Sequence, residues 1–334
     1  MADFKSLKSA VFDLDRHNFE SHALRLFQYQ AGSNEVYQDY MNHLEVDPVK
    51  IKKLVDIPFL PIRFFKNHKV VTGKWSKACV FESSGTTGES RSQHFIEDLS
   101  YYHQISQRIF EQNYGPLNQY HVIALLPTYL ENRQSSLINM ISHFMAVSNS
   151  SDSGFYMNDL ERVAKKLKEL NVSSTRKILL WGVSFALLDL AEKHDLSLSK
   201  CLVIATGGMK GRREELTPVE FYDILRGRWQ VPLIHSEYGM TELISQCYTI
   251  EEGLFQPPPW MRAYIREVND PFSYCPYERS GAINIVDLAN VHTCAFIATD
   301  DVGLAHQDGS FEIFGRLDNS DQRGCNLMVP EITD

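Results

Sequence analysis

Apolar residues recur along the chain at two different spacings, and the two spacings predict different elements. Between residues 16 and 46, Phe19, Ala23, Leu26 and Phe27 recur at the spacing of an amphipathic helix. From about residue 78, short apolar runs alternate with amphipathic stretches, which is the rhythm of strands separated by helices. We therefore expect an α/β fold with mostly parallel sheets covered by helices.

The individual elements of the alternating region can be given approximate bounds. Strands are expected at 121–126, 178–183, 202–205 and 231–234, and helices at 159–170, 185–193 and 218–226. After residue 255 the helical rhythm fades, and the apolar runs 282–286 and 293–298 indicate a smaller β-rich subregion. The prolines of the aromatic segment 57–65 argue against a regular helix there. We divide the chain into a helical region (1–56), an α/β core (57–255) and a β-rich region (256–334).

Composition and charge exclude several classes of protein. The 334 residues carry 33 Lys plus Arg and 42 Asp plus Glu, a net charge of −9 that disfavours general nucleic-acid binding. The longest apolar stretch, 178–191, contains Ser184 and Asp189 and is too short to span a membrane. The six cysteines form no C-x-x-C pair, which argues against a zinc ribbon and favours a reducing compartment, so we expect a cytoplasmic protein.

A loop of small and hydroxyl residues follows the apolar run 78–81. It reads Ser83, Ser84, Gly85, Thr86, Thr87, Gly88, and continues to Arg91. Backbone N–H groups and hydroxyls of such a loop can point at an anion, and Arg91 adds positive charge. The spacing does not match a Walker A loop. The alternative interpretation is an ordinary Ser- and Gly-rich surface loop.

A second candidate motif follows the strand expected at 231–234 and runs from His235 to Glu242 through Tyr238-Gly239. Tyr238 could stack on a planar base, and Thr241 could donate to a phosphate oxygen. Glu242 could hold Mg²⁺, which prefers one or two carboxylates together with substrate phosphates. The alternative is an N-cap and first helical turn, which is compatible with the functional role.

A third candidate pairs Thr299-Asp300-Asp301 with Gly315-Arg316-Leu317-Asp318. Asp308-Gly309 lies between the two segments and predicts a hairpin turn, which would bring Asp301 and Arg316 to one site. A carboxylate there could accept hydrogen bonds from the paired hydroxyls of a ribose. The alternative is a surface salt bridge at the end of a hairpin, which would contribute little.

Together these motifs resemble those of the adenylate-forming ligases of acyl and aryl acids. The loop at 83–88 is similar to the S-S-G-T-T-G phosphate loop, and 238–242 is similar to Y-G-x-T-E. Residues 299–301 and 315–318 resemble the ribose motif and the G-R-x-D motif, and Gly207-Gly208 lies where the family has an adenine-contacting turn. The segments 57–66, 126–131, 135–137 and 206–211 resemble the LuxE-like acyl-protein synthetases, so the resemblance covers about residues 57–325.

The resemblance implies a fold, a reaction and a set of partners. The fold would be that of an adenylate-forming ligase N-terminal domain, which would use ATP and Mg²⁺ to activate a carboxylic acid, expected to be a fatty acid. The acyl group would pass from the adenylate to a thiol, with Cys325 as the implied acceptor. The next acceptor would be a partner such as a reductase, a carrier protein or CoA. The roles implied for Thr241, Glu242 and Arg91 are catalytic.

The sequence departs from the family pattern in three ways. Ser90-Arg91 stands where Pro-Lys is usual, Asp300 stands where Gly is usual, and only ten residues follow Gly324, so we expect no C-terminal lid domain. Two alternatives follow. One is a lidless acyl- or aryl-CoA ligase or acyltransferase of the phenylacetate-ligase type, and the other is a nucleotide-binding protein without catalysis.

Overall fold

A twelve-stranded sheet forms the centre of the protein. The structure is a computed structural model that describes residues 4–83, 90–127, 134–207 and 216–317. Its helices are α1 Phe4–Ala10, α2 Phe19–Ser33, α3 Glu35–His43, α4 Phe64–Asn67, α5 Leu99–Tyr114, α6 Ser136–Ser148, α7 Leu160–Ser173, α8 Ser184–Lys193 and α9 Pro218–Trp229. Its strands are β1 Leu60–Pro61, β2 Cys79–Glu82, β3 Gln93–Ile96, β4 Tyr120–Leu125, β5 Gly154–Tyr156, β6 Lys177–Val183, β7 Cys201–Thr206, β8 Ile234–Tyr238, β9 Cys247–Glu251, β10 Leu254–Gln256, β11 Met261–Arg266, β12 Gly281–Asp287, β13 Phe296–Ala305 and β14 Phe311–Arg316.

One half of the sheet is parallel and has the order β5-β4-β6-β7-β8. Helices α6, α7, α8 and α9 lie in the connections between these strands. All six residues of β4 are buried, as are six of the seven in β6, so the strands read as continuous apolar runs. The predicted α/β class and the strands expected at 121–126, 178–183 and 202–205 are confirmed, with ends that shift by one residue.

The other half of the sheet is antiparallel and begins where β8 pairs with β9. The order continues β9-β10-β14-β13-β12-β11. Strand β10 lies at the expected domain boundary and pairs with β9 on one side and β14 on the other. The sheet is therefore continuous at residue 255, and the division of the chain into three regions stays a prediction. None of the helices within the four described ranges combines the length and the apolar character that crossing a membrane requires.

One predicted strand begins later than expected, and one apolar run is a strand only in its second half. The strand predicted at 231–234 begins only at Ile234 and continues to Tyr238. Pro232 has no N–H to donate to a strand ladder, so its apolar neighbours do not start the strand. Within the apolar run 293–298, strand β13 begins only at Phe296 and runs to Ala305, because the residues before it form a buried loop that is hydrogen-bonded to side chains.

The N-terminal helices follow the predicted pattern. Phe19, Ala23, Leu26 and Phe27 all have 0% exposure on α2, which confirms the helical spacing of this face. The Pro-punctuated segment forms the short strand β1, which pairs in parallel with β13. Helix α4 then begins at Phe64, beyond the prolines. The N-terminal residues are thus part of the same core as the sheet.

Side chains of the N-terminal region hold the buried loop that precedes β13. The Gln30 side chain donates to the carbonyl of Asn290 (2.9 Å) and accepts from the N–H of Ala295 (3.0 Å). The Asn34 side chain donates to the carbonyl of Thr293 at 3.0 Å. Buried backbone groups without a ladder partner need such bonds, so α2 is tied to the sheet by polar contacts as well as apolar ones.

We predict that Gln30→Ala destabilises the protein by about 2–4 kcal/mol, because it leaves several buried backbone groups without partners. The measurement is urea unfolding at equilibrium. Gln28→Ala is the matched control, since Gln28 is exposed on the same helix and makes one bond, to the carbonyl of Pro48. Equal effects of the two substitutions would contradict this role for Gln30.

Candidate functional site

The β13–β14 hairpin brings together the two halves of the third sequence motif. Its turn contains Asp308 and Gly309, and Gly309 has a φ of +93°, which favours glycine. Asp301 lies opposite Arg316 in the register, and Arg316 Nε donates to Asp301 Oδ1 at 3.1 Å. Asp301 is only 5% exposed, so the carboxylate belongs to a buried site. The predicted hairpin and its ion pair are confirmed.

Tyr238 connects this hairpin to the end of β8. Its hydroxyl donates to Asp301 Oδ2 at 2.8 Å. Its ring packs against Phe255 and Phe311, with ring centroids 5.9 and 5.6 Å away. Burial raises the pKa of the Tyr238 hydroxyl, which therefore stays protonated and keeps donating. The ring that we expected to stack on a base has 9% exposure and lies mostly in the core.

Glu242 lies close to the same cluster and is 5% exposed. Burial raises the pKa of its carboxyl, while a hydrogen bond from Ser92 and the charge of Arg316 oppose that rise. The charge of Asp301 acts in the same direction as burial. Glu242, Asp301 and Arg316 therefore influence one another electrostatically, which places the second and third sequence motifs at one site.

The backbone around Glu242 is held by two buried side chains from distant parts of the chain. His94 Nδ1 donates to the carbonyl of Thr241 at 2.7 Å, and Asn290 Nδ2 donates to the carbonyl of Glu242 at 2.8 Å. Burial lowers the pKa of His94 to about 4, so its ring is neutral at pH 7. Because adjacent carbonyls are fixed in this way, the conformation of the Thr241-Glu242 pair is set from outside the motif.

The alternative interpretation of this motif, an N-cap followed by a first helical turn, does not hold. Tyr238 ends β8, and residues 239–246 form an irregular segment with a turn at Thr241-Glu242. The carbonyls of Thr241 and Glu242 accept from side chains instead of from the amides that a helix would place four residues later. The carboxylate of Asp287 holds the end of the same segment, since it accepts from the N–H groups of Ile244 and Ser245, both at 2.9 Å.

The β2–β3 hairpin carries the loop that we expected to bind phosphate. Ser83 N donates to the carbonyl of Ser92, and Ser83 Oγ accepts from Ser92 N at 2.9 Å, so the two residues close the base of the loop. Ser92 also contacts Glu242, which places the loop beside the motif of β8. Ser84, Gly85, Thr86, Thr87 and Gly88 lie outside the described residues, and their predicted role stays a prediction.

Arg91 lies at the end of this loop. Its Nη1 atom is 3.9 Å from Glu82 Oε2, and its side chain is 43% exposed. A pair of this length on a half-exposed side chain is weak, so the guanidinium remains accessible to an anion. The predicted role of Arg91 in binding phosphate is compatible with this position.

Gly207 follows β7 and adopts a φ of +66°, which favours glycine. Ser184 Oγ donates to its carbonyl at 2.5 Å, which fixes the turn at the end of the strand. Gly208 and Cys325 lie outside the described residues. The roles expected of these two residues therefore also stay predictions.

Glu237 is a residue of the site that the sequence analysis did not single out. Thr206 Oγ1, at the end of β7, donates to Glu237 Oε2 on the adjacent strand. A Cβ atom at position 239 would lie 2.2 Å from Glu237 Oε1, so Gly239 allows the carboxyl to lie against the backbone. Burial raises the pKa of Glu237 to about 7. The strand predicted here ended at residue 234, so a carboxyl inside the strand, the one sign of Glu237 in the sequence, went unnoticed.

Asp300, which stands where the family pattern has Gly, has a structural partner. Arg63 Nε donates to Asp300 Oδ2 at 3.1 Å. Arg63 belongs to the segment 57–66, so the ion pair joins this segment to β13 next to Asp301. The negative charge that Asp300 adds at this position is thus paired with the positive charge of Arg63.

The donor set of the site fits Mg²⁺ only if substrate oxygens complete the coordination. Within the described parts of the chain, no group of three or more His, Cys, Asp or Glu side chains is arranged to hold a metal ion. Glu242 supplies one carboxylate, and Mg²⁺ is commonly held by one or two carboxylates plus substrate phosphates. The chain therefore offers a partial site of the kind that a metal–nucleotide complex occupies.

Comparison with known families agrees with the arrangement of these motifs. The family model of the acyl-protein synthetase LuxE matches residues 12–333. The chain belongs to this family. The resemblance found in the motifs is confirmed, although no curated protein matches the chain significantly.

Solved structures of adenylate-forming enzymes share the fold of this LuxE-family chain. ATP-bound MatB from Rhodopseudomonas palustris is 15% identical with a TM-score of 0.54, over 72% of this chain and 48% of that one. AMP-bound O-succinylbenzoate CoA synthetase (MenE) from Bacillus subtilis is 17% identical with a TM-score of 0.54, over 74% and 50%. 2-Hydroxyisobutyryl-CoA ligase in its postadenylation state is 13% identical with a TM-score of 0.66, over 91% and 69%. The chain spans about half the length of MatB and MenE, and the expected fold is confirmed.

We predict that Glu237→Gln becomes more stable relative to the wild type as the pH rises from 5 to 8. In the folded wild type the pKa of the Glu237 carboxyl is about 7, whereas its usual value is 4.5. Between pH 4.5 and pH 7 the folded state therefore binds a proton at Glu237 that the unfolded state has lost. Wild-type stability then falls as the pH rises through 7, whereas Gln has no proton to lose. The relative gain should be roughly 1–3 kcal/mol by thermal unfolding at several pH values.

The matched control for this experiment is Glu251→Gln, because Glu251 lies exposed on the neighbouring strand β9. We expect its stability relative to the wild type to change little over the same pH range. A flat profile for Glu237→Gln would show that the Glu237 carboxyl does not titrate in this way.

Proposed function

We propose that this LuxE-family protein activates a carboxylic acid with ATP, forming an acyl-adenylate, and then transfers the acyl group to a thiol. The observation that carries the proposal is the convergence of Glu242, the Tyr238–Asp301–Arg316 cluster and the base of the 83–92 loop. These groups surround the carboxyl ends of β7 and β8, where open α/β sheets bind their ligands. The family match and the ATP- and AMP-bound structural neighbours support this reaction.

Asp301 would bind the nucleotide by accepting hydrogen bonds from its ribose hydroxyls. Both carboxylate oxygens already accept one bond each, from Tyr238 and Arg316, and each retains acceptor capacity for a ribose hydroxyl. The turn at Gly207 would lie against the adenine. Tyr238 then acts mainly by fixing the orientation of the carboxylate, since most of its ring is in the core.

The chemical step brings two anions together. An oxygen of the substrate carboxylate would attack the α-phosphorus of ATP, forming an O–P bond as the bond to pyrophosphate breaks. Thr86, Thr87 and Thr241 would donate to the phosphate oxygens, and Arg91 would supply positive charge. Glu242 would hold Mg²⁺, which when bound adds positive charge beside the phosphates.

The second half of the proposal concerns the acceptor. A thiolate, with Cys325 as the proposed first acceptor, would attack the acyl carbonyl and release AMP, leaving a thioester. A reductase, a carrier protein or CoA would then receive the acyl group. We propose a fatty acid as the substrate and the cytoplasm as the location, in keeping with the free thiols of the five described cysteines.

The first test is ATP–pyrophosphate exchange across a panel of carboxylic acids in the presence of Mg²⁺. We predict exchange with one class of acid. The rate of exchange should fall about 10²-fold or more in Glu242→Gln, because glutamine has no negative charge with which to hold Mg²⁺. The matched control is Glu169→Gln on the exposed face of α7, which should exchange at the wild-type rate. Absence of exchange with every acid would overturn the proposed activation and favour a nucleotide-binding protein without catalysis.

The second test follows radioactive acid into the protein. We predict that the wild type becomes labelled in an ATP-dependent, hydroxylamine-sensitive way and that Cys325→Ser does not. Exchange of ATP with pyrophosphate should persist in Cys325→Ser, because adenylation precedes the transfer. A Cys325→Ser variant that forms acyl-CoA at the full rate would overturn the cysteine relay and favour the lidless CoA-ligase alternative.

A further inference from the structure

One segment of the chain has a charge opposite to that of the whole. The protein carries a net charge of −9, yet residues 57–81 contain no Asp or Glu. The same segment contains five basic side chains, namely those of Arg63, Lys66, Lys69, Lys74 and Lys77. A positive region on an acidic protein is a local feature that composition alone does not explain, and its structural partners decide what it can do.

All five cations are exposed, and four of them lack an acidic partner within the described ranges. Arg63 pairs with Asp300, whereas Lys66, Lys69, Lys74 and Lys77 make no ion pair with any carboxylate among the residues that the structure describes. The Nζ atoms of Lys69 and Lys77 lie 5.3 and 5.7 Å from the ring centroid of Phe95. We name these four lysines together with Phe95 the basic surface.

Phe95 connects the basic surface to the hairpin that carries the predicted phosphate loop. Side chains alternate along β3, and the residue next to Phe95 is His94, which is buried and bonds to the carbonyl of Thr241. Phe95, with Lys69 and Lys77 beside its ring, is therefore on the outer face of a hairpin whose inner face contacts the motif of β8. Ser92, at the base of the loop, is three residues from Phe95, or about 10 Å along the strand.

The ammonium groups of the basic surface repel one another, and an acidic surface placed against them would relieve that repulsion. Lysine presents a hydrated point charge on a flexible stem instead of a rigid fork, which suits a broad, salt-sensitive contact between two protein surfaces. The four exposed lysines are spread along the segment 66–77 instead of converging on one buried point. This arrangement fits an extended acidic partner better than a single phosphate group.

We propose that the basic surface docks an acidic protein that carries the acyl-accepting thiol. The proposal rests on the proposed function for the identity of the thiol carrier, and it places the partner about one strand's length from the adenylation site. Docking there adds the steering of opposite charges to the approach of the acceptor. The covalent chemistry is the acyl transfer already described, and the basic surface takes no part in bond making or breaking.

The probe is a purified holo acyl carrier protein, an acidic protein with a thiol on a flexible arm. Its dissociation constant for the full-length protein is measured at low and at physiological salt. We expect Lys69→Glu combined with Lys77→Glu to weaken binding at least tenfold at low salt, and wild-type binding to weaken steeply as salt rises. The matched control is Lys165→Glu combined with Lys168→Glu on α7, which makes the same charge change at exposed positions and should alter binding less than twofold.

The proposal is overturned if the carrier protein does not bind the wild type, or if both double variants weaken its binding equally. It is also overturned if the Lys69/Lys77 double variant loses the binding of CoA but still binds the carrier protein as the wild type does. ATP–pyrophosphate exchange, measured without any acceptor, separates this test from that of the proposed function. Exchange should be unchanged in the Lys69/Lys77 double variant. If the wild type shows no exchange but binds the carrier protein through these lysines, the proposed function fails while the docking surface stands.

Discussion

The structure depends on the hydrogen bonds that side chains make to the polar groups of a loop that passes through the protein core. Residues 288–295 are all buried, although they belong to no strand. Their polar groups are bonded to side chains from three other regions, including Gln30, Asn34 and His94. A buried backbone group that lacks such a partner costs free energy comparable to a lost hydrogen bond, so these regions must assemble together. The loop thereby joins α2, the β2–β3 hairpin and the central sheet.

The position of the site follows from this assembly and from the change of strand direction at β8. On one side of β8 the sheet is parallel, and on the other side it is antiparallel. The antiparallel half can therefore return a hairpin to the carboxyl ends of the parallel strands, which is how Asp301 and Arg316 come to lie beside Tyr238. The site combines the ligand-binding edge of an α/β sheet with a buried carboxylate supplied by the antiparallel half.

Local patterns were enough to predict four of the five strands in the parallel half of the sheet, namely β4, β6, β7 and β8, and one contact between strands of the antiparallel half. The apolar run around Leu180 identified a doubly covered strand, and Asp308-Gly309 identified the turn that pairs Asp301 with Arg316. These features depend on residues that are close in sequence. The motif segment 239–246 could not be predicted in the same way, because its conformation depends on His94 and Asn290.

Those two residues are 147 and 48 positions away from the carbonyls that they bind. No periodicity within the motif indicates such partners, so the sequence left a first helical turn open as an alternative that the structure does not show. Glu237 was missed for a related reason, since its burial depends on a neighbouring strand and on the absence of a Cβ at Gly239. Sequence thus indicated which residues belong to the site better than it indicated what holds them in place.

The separateness of the β2–β3 hairpin has a consequence for how this family can diversify. Among the strands that the structure describes, β2 and β3 pair with each other and with no strand of the twelve-stranded sheet. An insertion or deletion at the tip of this hairpin therefore leaves the register of the large sheet unchanged. Because Ser83 and Ser92 close the base of the loop, changes between them can alter what the loop binds while the fold that supports it is inherited intact.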